Sequence, residues 1–340
     1  MITPAGRRRE SKRITRAGTL STRGTDAGLE TKVVTVNGEF QPGMLGTCDA
    51  HNHVWIDPVT GALEGSPVLD DLPAILRELK EYRAAGGDAL TDCQPGGCGR
   101  NGIRLRELSR LSGVKIIACT GFHRACYHPR DYWLWQAKPG KIARTLVGEI
   151  RESLAETREE NDPVRAGFIK IACEAQLDQT PQAALEAAAE AAAETGAAIE
   201  IHTERGAEAE KILEYFASRS IRPERIILCH MDKRPDFTLH CELAQSGILL
   251  EYDTFFRQKY DPERNLWPLI ARMAGDGLSD HVALGTDMAE AVLWKNLGNG
   301  TGLAGFPKDI RARLHRMGME ENWINGMMGR NIARRLAMPA

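Results

Sequence analysis

The chain lacks the features by which several protein classes are recognised. No apolar run reaches the roughly 18–20 residues that cross a bilayer, so no membrane helix is expected. Lys and Arg number 44 against 46 Asp and Glu, a formal net charge of -2. No overall field recruits polyanions, so neither nucleic acid nor an anionic membrane is an expected partner. The eight cysteines (Cys48, Cys93, Cys98, Cys119, Cys126, Cys173, Cys229 and Cys241) form no CxxC pair. With no apolar export signal ahead of them, they predict free thiols in a reducing cytoplasm, not disulfides. No GxGxxG follows the first strand-like run, and "GGCGRNG" at 96–102 lacks the Lys-Ser/Thr of a phosphate loop. Dinucleotide and P-loop nucleotide sites are therefore disfavoured.

What is present is a regular beat. Residues 1–30 are basic and rich in Ser, Thr and Gly, and read as a flexible leader. "KVVTVNGEF" at 32–40 alternates and carries an Asn-Gly turn signal, which predicts a small ribbon. Then short β-branched runs recur at 44–50, 87–93, 114–120, 166–172, 196–202, 225–230, 247–253 and 281–287. Amphipathic segments separate them, among them "VLDDLPAILRELKEYRAAG" and the Ala-rich "TPQAALEAAAEAAAETG". In the second, Thr180 and Pro181 read as cap and first turn. Eight strand–helix units in one chain predict an α/β fold, a (β/α)8 barrel. The expected domain is a single unit over 31–340, with the ribbon at its start and a helix at its end. The segment 121–141 is the longest irregular loop and gathers Tyr127, Tyr132, Trp133 and Trp135.

The histidines fall in a pattern. His51 and His53 stand two apart after the first run, a spacing that turns both side chains to one face of a strand. His202 ends the fifth run, His230 the sixth, and Asp287 the eighth. A barrel keeps its chemistry at the C-terminal strand ends, and His and Asp are ligands for zinc and similar divalent ions. Taken singly, each has a plainer reading: a turn, an exposed imidazole, a helix cap. The convergence of all of them on one mouth is what points to a metal site. Lys170 stands inside the apolar run "GFIKIAC". Burial would lower its pKa and free the amine. It could pair with Glu200 on the neighbouring strand, act as a Schiff-base nucleophile, or take up carbon dioxide as a carbamate with one oxygen for each of two metals.

The set "HNH", "FIK", "IHT", "CHMD" and "GTD" resembles the phosphotriesterase family of the amidohydrolase superfamily. The terminal "GRNIARRL" is similar to the family's closing helix, with Ile332 where proline is usual. The resemblance covers roughly residues 44–335. It implies a binuclear metal hydrolase. His51, His53 and Asp287 would hold one ion, His202 and His230 the other, and a carboxylated Lys170 and a hydroxide would bridge them. Asp287 would accept the proton from the attacking hydroxide. Zinc is the expected metal, with Mn, Co or Fe as alternatives.

The substrate reading starts from three loops, "TGFHR", "QPGGCGRN" and "HMDKRPD", which resemble the lactonase-type branch. Asp232, two after His230, is expected to share its inward face. Basic residues cluster in these loops and the one after the seventh run: Arg100, His123, Arg124, Lys233, Arg234, Arg257 and Lys259. Together these could bind a phosphate, although any one of them is more simply a solvated charge. The expected activity is opening of a sugar lactone, with or without a phosphate on it. The alternative is hydrolysis of a phosphotriester or phosphodiester at the same metals. The aromatic loop could cap the pocket or meet a second copy in a homodimer.

Overall fold

The computed structural model describes residues 31–339. The basic leader lies outside the described residues. Eight strands form one parallel sheet: β3 (Cys48–Asp49), β4 (Ala89–Asp92), β5 (Lys115–Gly121), β6 (Phe168–Ala172), β7 (Ile199–His202), β8 (Ile226–Cys229), β9 (Leu249–Tyr252) and β10 (Val282–Leu284). They pair in sequence order, and Ala50 N donates to Leu284 O at 3.0 Å where the last strand meets the first. This is the (β/α)8 barrel the alternation predicted. Every expected run coincides with one of these strands; seven are shorter than their runs, and β5 keeps the length of its run but is shifted one residue later.

The helices follow from period and caps. The first, Leu72–Ala84, starts where Asp71 accepts from Ala74 N, and it buries Ile75, Leu79 and Tyr82 on one stripe. The Ala-rich helix is Gln182–Thr195, one step later than its cap signal suggested. Thr180 Oγ1 instead accepts from Glu174 N at 2.9 Å, so its hydroxyl is committed to the preceding loop. The helix ends at Gly196, whose φ of 72° suits glycine in the left-handed region.

The lower end of the barrel is plugged twice. β1 (Thr31–Thr35) and β2 (Gly38–Phe40) form the expected antiparallel ribbon. A short β11 (Met338–Pro339) adds to β1, pairing Thr31 with Pro339, which the sequence did not announce. Val36 N donates to Ile116 O at 2.9 Å, fixing the ribbon at the start of β5. Ile332, Ala333 and Leu336 of the terminal helix Asn331–Leu336 join the inner apolar cluster with Cys48, Cys93, Cys119, Phe168 and Ile227. Buried thiols here serve as small hydrophobes, and all eight cysteines are free. This apolar layer fills the lower barrel and places the polar side chains of the interior above it, toward the C-terminal strand ends. Among the described residues, no helix is long and apolar enough to cross a membrane.

Candidate active site

The expected side chains do meet at the C-terminal mouth, but not by strand alternation alone. β3 stops at Asp49, so His51 and His53 lie beyond it, where Asp287 N and Thr286 N both donate to His51 O at 2.8 and 3.2 Å. His230 and Asp287 adopt left-handed backbone, with φ of 64° and 47°. For a residue other than glycine that conformation needs surrounding structure to hold it. His230 turns out of β8 there, which is why the spacing rule fails for Asp232. That residue is buried, its Oδ2 accepts from Thr254 N at 2.9 Å, and it does not line the cavity. Burial and the neighbouring Asp253 raise its pKa to about 7.

Two ligand sets stand side by side. His51 Nε2 and His53 Nε2 lie 3.7 and 3.6 Å from Asp287 Oδ1. His202 Nδ1 and His230 Nε2 face each other at 2.9 Å. The opposite ring nitrogens are tied down. His53 Nδ1 meets Gln94 Oε1 at 2.8 Å, His202 Nε2 meets Glu204 Oε1 at 2.9 Å, and His230 Nδ1 meets Asp253 Oδ1 at 2.9 Å. An oxygen acceptor on one ring nitrogen fixes the tautomer and leaves the other with a lone pair for a metal. Asp287 keeps its carboxylate well below the usual range: burial opposes this, but Arg257 and His230 beside it prevail. The donor set fits divalent ions, which His51, His53 and Asp287 would hold on one side and His202 and His230 on the other.

Lys170 lies beneath this layer, fully buried and outside the cavity lining. Its Nζ meets Glu200 Oε1 at 2.6 Å and Cys229 Sγ at 3.0 Å. The structure therefore contains the ion pair that sequence left as one option. β5 must pass close above it: a Cβ on Gly121 (φ 119°) would lie 1.8 Å from Lys170 O, so only glycine fits.

The expected basic residues separate into two groups. His123, Lys233, Arg257 and Lys259 line the cavity, which has a volume of about 490 Å³. Arg100, Arg124 and Arg234 do not. Arg100 uses its whole guanidinium inside the protein, on Glu149, Glu156 and Cys119 O, at 2.7–2.8 Å. Arg124 holds Glu174 and Glu204, and Arg234 holds Glu210. Their charges are satisfied by carboxylates the sequence could not place. Burial holds the His123 imidazole well below its ordinary pKa. Arg257 is engaged by Glu290 at 2.6 Å and Asp287 at 3.3 Å. Lys233 and Lys259 remain: their Nζ atoms lie 5.0 and 5.3 Å from the Tyr260 ring centroid, and neither has an ion-pair partner among the described residues.

Sequence reasoning missed the opposite wall. Pro58, Val59, Ala62, Leu63, Pro67 and Val68, in the loop after β3, line the cavity. Leu63 and Val68 are exposed there. The run reads as ordinary loop, and only its apolar content hinted at a wall. Gln94, Glu204 and Asp253, which orient the imidazoles, carried no signal beyond being polar near strand ends.

A parallel barrel with clustered imidazoles and an aspartate above its strand ends is the architecture of a metal-dependent hydrolase. The chain belongs to the phosphotriesterase family, whose model matches residues 31–336. It is a hydrolase acting on ester bonds, and the family depends on two metal ions. Among its relatives, a phospho-furanose lactonase of Mycoplasmopsis synoviae is 27% identical over 284 residues, 78% of each chain. A crystal structure of an amidohydrolase from Mycoplasma synoviae superposes with a TM-score of 0.83 at 26% identity, covering 91% of this chain and 92% of that one. A lactonase from Listeria monocytogenes shares the fold, with a TM-score of 0.81 at 22% identity over 90% and 98% of the two chains.

Proposed function

We propose that the protein is a binuclear metal lactonase that opens a furanose-type lactone carrying a phosphate. The observation that carries the phosphate is the pair Lys233 and Lys259, two ammonium groups at the cavity with no carboxylate at ion-pair distance among the described residues. Unpaired charges in a cleft point to an anionic ligand. A relative named as a phospho-furanose lactonase supports the same class. The two ions, zinc by donor type, would make hydroxide available near neutral pH and polarise the lactone carbonyl. Lys170 would join the upper layer as its carboxylated form.

The protein's own groups then divide the work. Gln94, Glu204 and Asp253 hold the imidazoles in register. Asp287 is kept ionised by Arg257, accepts the proton of the attacking water, and returns it to the ring oxygen as the C–O bond breaks. Lys233 and Lys259 hold the phosphate away from the reacting carbonyl. Tyr260 between them fixes their stems. Eight free thiols suit a reducing cytoplasm.

The test is proton release by the zinc- or manganese-loaded protein on one furanose lactone, with and without its terminal phosphate. A charge-assisted hydrogen bond is worth about 1.5–3 kcal/mol, so each lysine should give roughly a 10- to 150-fold preference for the phosphorylated form in kcat/KM. Lys233→Ala and Lys259→Ala should each remove one such factor and leave the unphosphorylated lactone unaffected. Equal turnover of both lactones by the wild type would rule the phosphate out. Turnover of neither, with phosphotriesters hydrolysed, would favour the phosphorus-ester reading.

A further inference from the structure

Beneath the four imidazoles the barrel interior carries a second polar layer. Lys170 on β6, Glu200 on β7, Cys229 on β8 and Glu251 on β9 point inward at one level, with Cys93 just after β4, all fully buried. Register places Lys170 beside Glu200 across the parallel pair. Cys93 Sγ donates to Glu200 Oε1 at 2.9 Å. The layer is incomplete as it stands. No well-aligned hydrogen bond reaches either oxygen of Glu251, Glu200 Oε2 or His51 Nδ1, although His51 Nδ1 lies 3.3 Å from Glu251 Oε2 and 3.4 Å from Asp253 Oδ2. Donor atoms of His51, Glu200, Cys229 and Glu251 all lie within 4.8 Å of one another. That is close to the spread of donors around one zinc, whose bonds are about 2.0–2.3 Å.

Charge makes the gap sharper. The Lys170 ammonium offsets one carboxylate of the layer, and Glu251 is left over. Carboxylation of Lys170 turns that cation into an anion shared with the upper ions. A His51 that gives Nε2 to a metal is a neutral ligand and carries its hydrogen on Nδ1, 3.3 Å from Glu251 Oε2. Two carboxyl groups would then share a fully buried layer with no cation beside them, and burial beside Glu200 disfavours the charged form of Glu251 unless a cation joins it.

We propose that a third divalent cation sits in this inner layer, held by Glu200, Glu251 and Cys229, directly below the binuclear pair. Two carboxylate oxygens and a sulfur suit zinc better than magnesium or calcium. The inner ion replaces the charge that Lys170 gives up. It also holds Glu251 where it can accept from His51 Nδ1, which aims the other nitrogen at the upper site. The inference rests on the binuclear reading above, and it is tested by composition and spectrum, independently of turnover.

The metal-free full chain is reloaded with zinc in bicarbonate buffer, freed of excess ion by gel filtration, and its zinc per chain measured. Three zinc ions are expected in the wild type and two in Glu251→Gln, with the variant's folding checked by its unfolding curve. The cobalt form should show a near-ultraviolet thiolate-to-metal absorption that Cys229→Ser removes, while the visible bands of the upper ions persist. Two zinc ions in the wild type with no thiolate band would overturn the inner ion and leave the binuclear centre standing. Fewer than two would overturn both.

Discussion

Arg100 offers the sharpest test of the separation between structural and substrate-facing charge. All five of its N–H groups are used: two carboxylates are gripped, Glu149 and Glu156, and one carbonyl, Cys119 O. Its side chain is 1% exposed and that of Glu149 8%. Arg100→Ala removes a cation and leaves Glu149 buried with only Thr120 Oγ1 and Ala155 N as partners. Stripping one member from a buried pair costs about 3–5 kcal/mol, because the other charge stays behind uncompensated. For a domain of this size that corresponds to a fall in melting temperature of roughly 5–8 °C. Arg100→Lys should recover little of it, since an ammonium cannot engage two forks at once. The assay is thermal unfolding of the metal-loaded protein beside KM for the lactone at a temperature where both forms are folded. KM should not move. A variant that melts within about 1 °C of the wild type while KM rises tenfold would show that Arg100 contacts substrate and that its carboxylate partners are incidental.

Other expectations follow from single positions. Asp92 is fully buried, its Oδ1 accepts from Val54 N at 2.6 Å, and burial raises its pKa from the ordinary 3.8 to about 7. The folded state therefore holds a proton that the unfolded state has lost between those values, so this group's contribution falls as pH rises from about 4 to 7. Asp92→Asn should remove that slope, worth at most about 4 kcal/mol; denaturant unfolding of both forms at pH 5 and pH 8 measures it, and parallel curves would refute it. Gly285 lies against His51, where a Cβ would come within 2.7 Å of the His51 Cβ. Gly285→Ala should displace that imidazole and weaken metal retention about 10- to 100-fold, read by competition with a chelator; unchanged retention would mean that the His51 backbone yields.

The barrel was legible because it rests on local physics. Each β-branched run is too short for a helix and bounded by turn residues, and each amphipathic segment repeats at helical spacing. Eight such units leave few closures. The meeting of His51, His53, His202, His230 and Asp287 at one mouth was legible because a barrel gathers its strand ends at one face. The register of individual side chains was not. His230 and Asp287 turn in left-handed backbone that no alternation rule anticipates, and Asp232 was lost from the cavity by that turn.

Charge was where one dimension failed. Arg100, His123, Lys233, Arg234, Arg257 and Lys259 are alike in sequence as basic residues near loop starts. What distinguishes them is whether a carboxylate from a distant segment comes to ion-pair distance: Glu149 and Glu156 for Arg100, Glu210 for Arg234, Glu290 for Arg257, and none among the described residues for Lys233 or Lys259. Pairing is a property of the closed barrel, because it depends on distances between residues dozens of positions apart. Lys170 and Glu200 show the intermediate case. Their strands were readable and their partnership foreseeable, but the unsatisfied Glu251 beside them became visible only when β9 took its place in the ring. Sequence determined the architecture and the set of candidate ligands, through periodicity and polarity that act within a few residues. Tertiary structure alone decided which charges are spent on each other and which remain for a substrate or an ion, because electrostatic compensation is set by proximity in space.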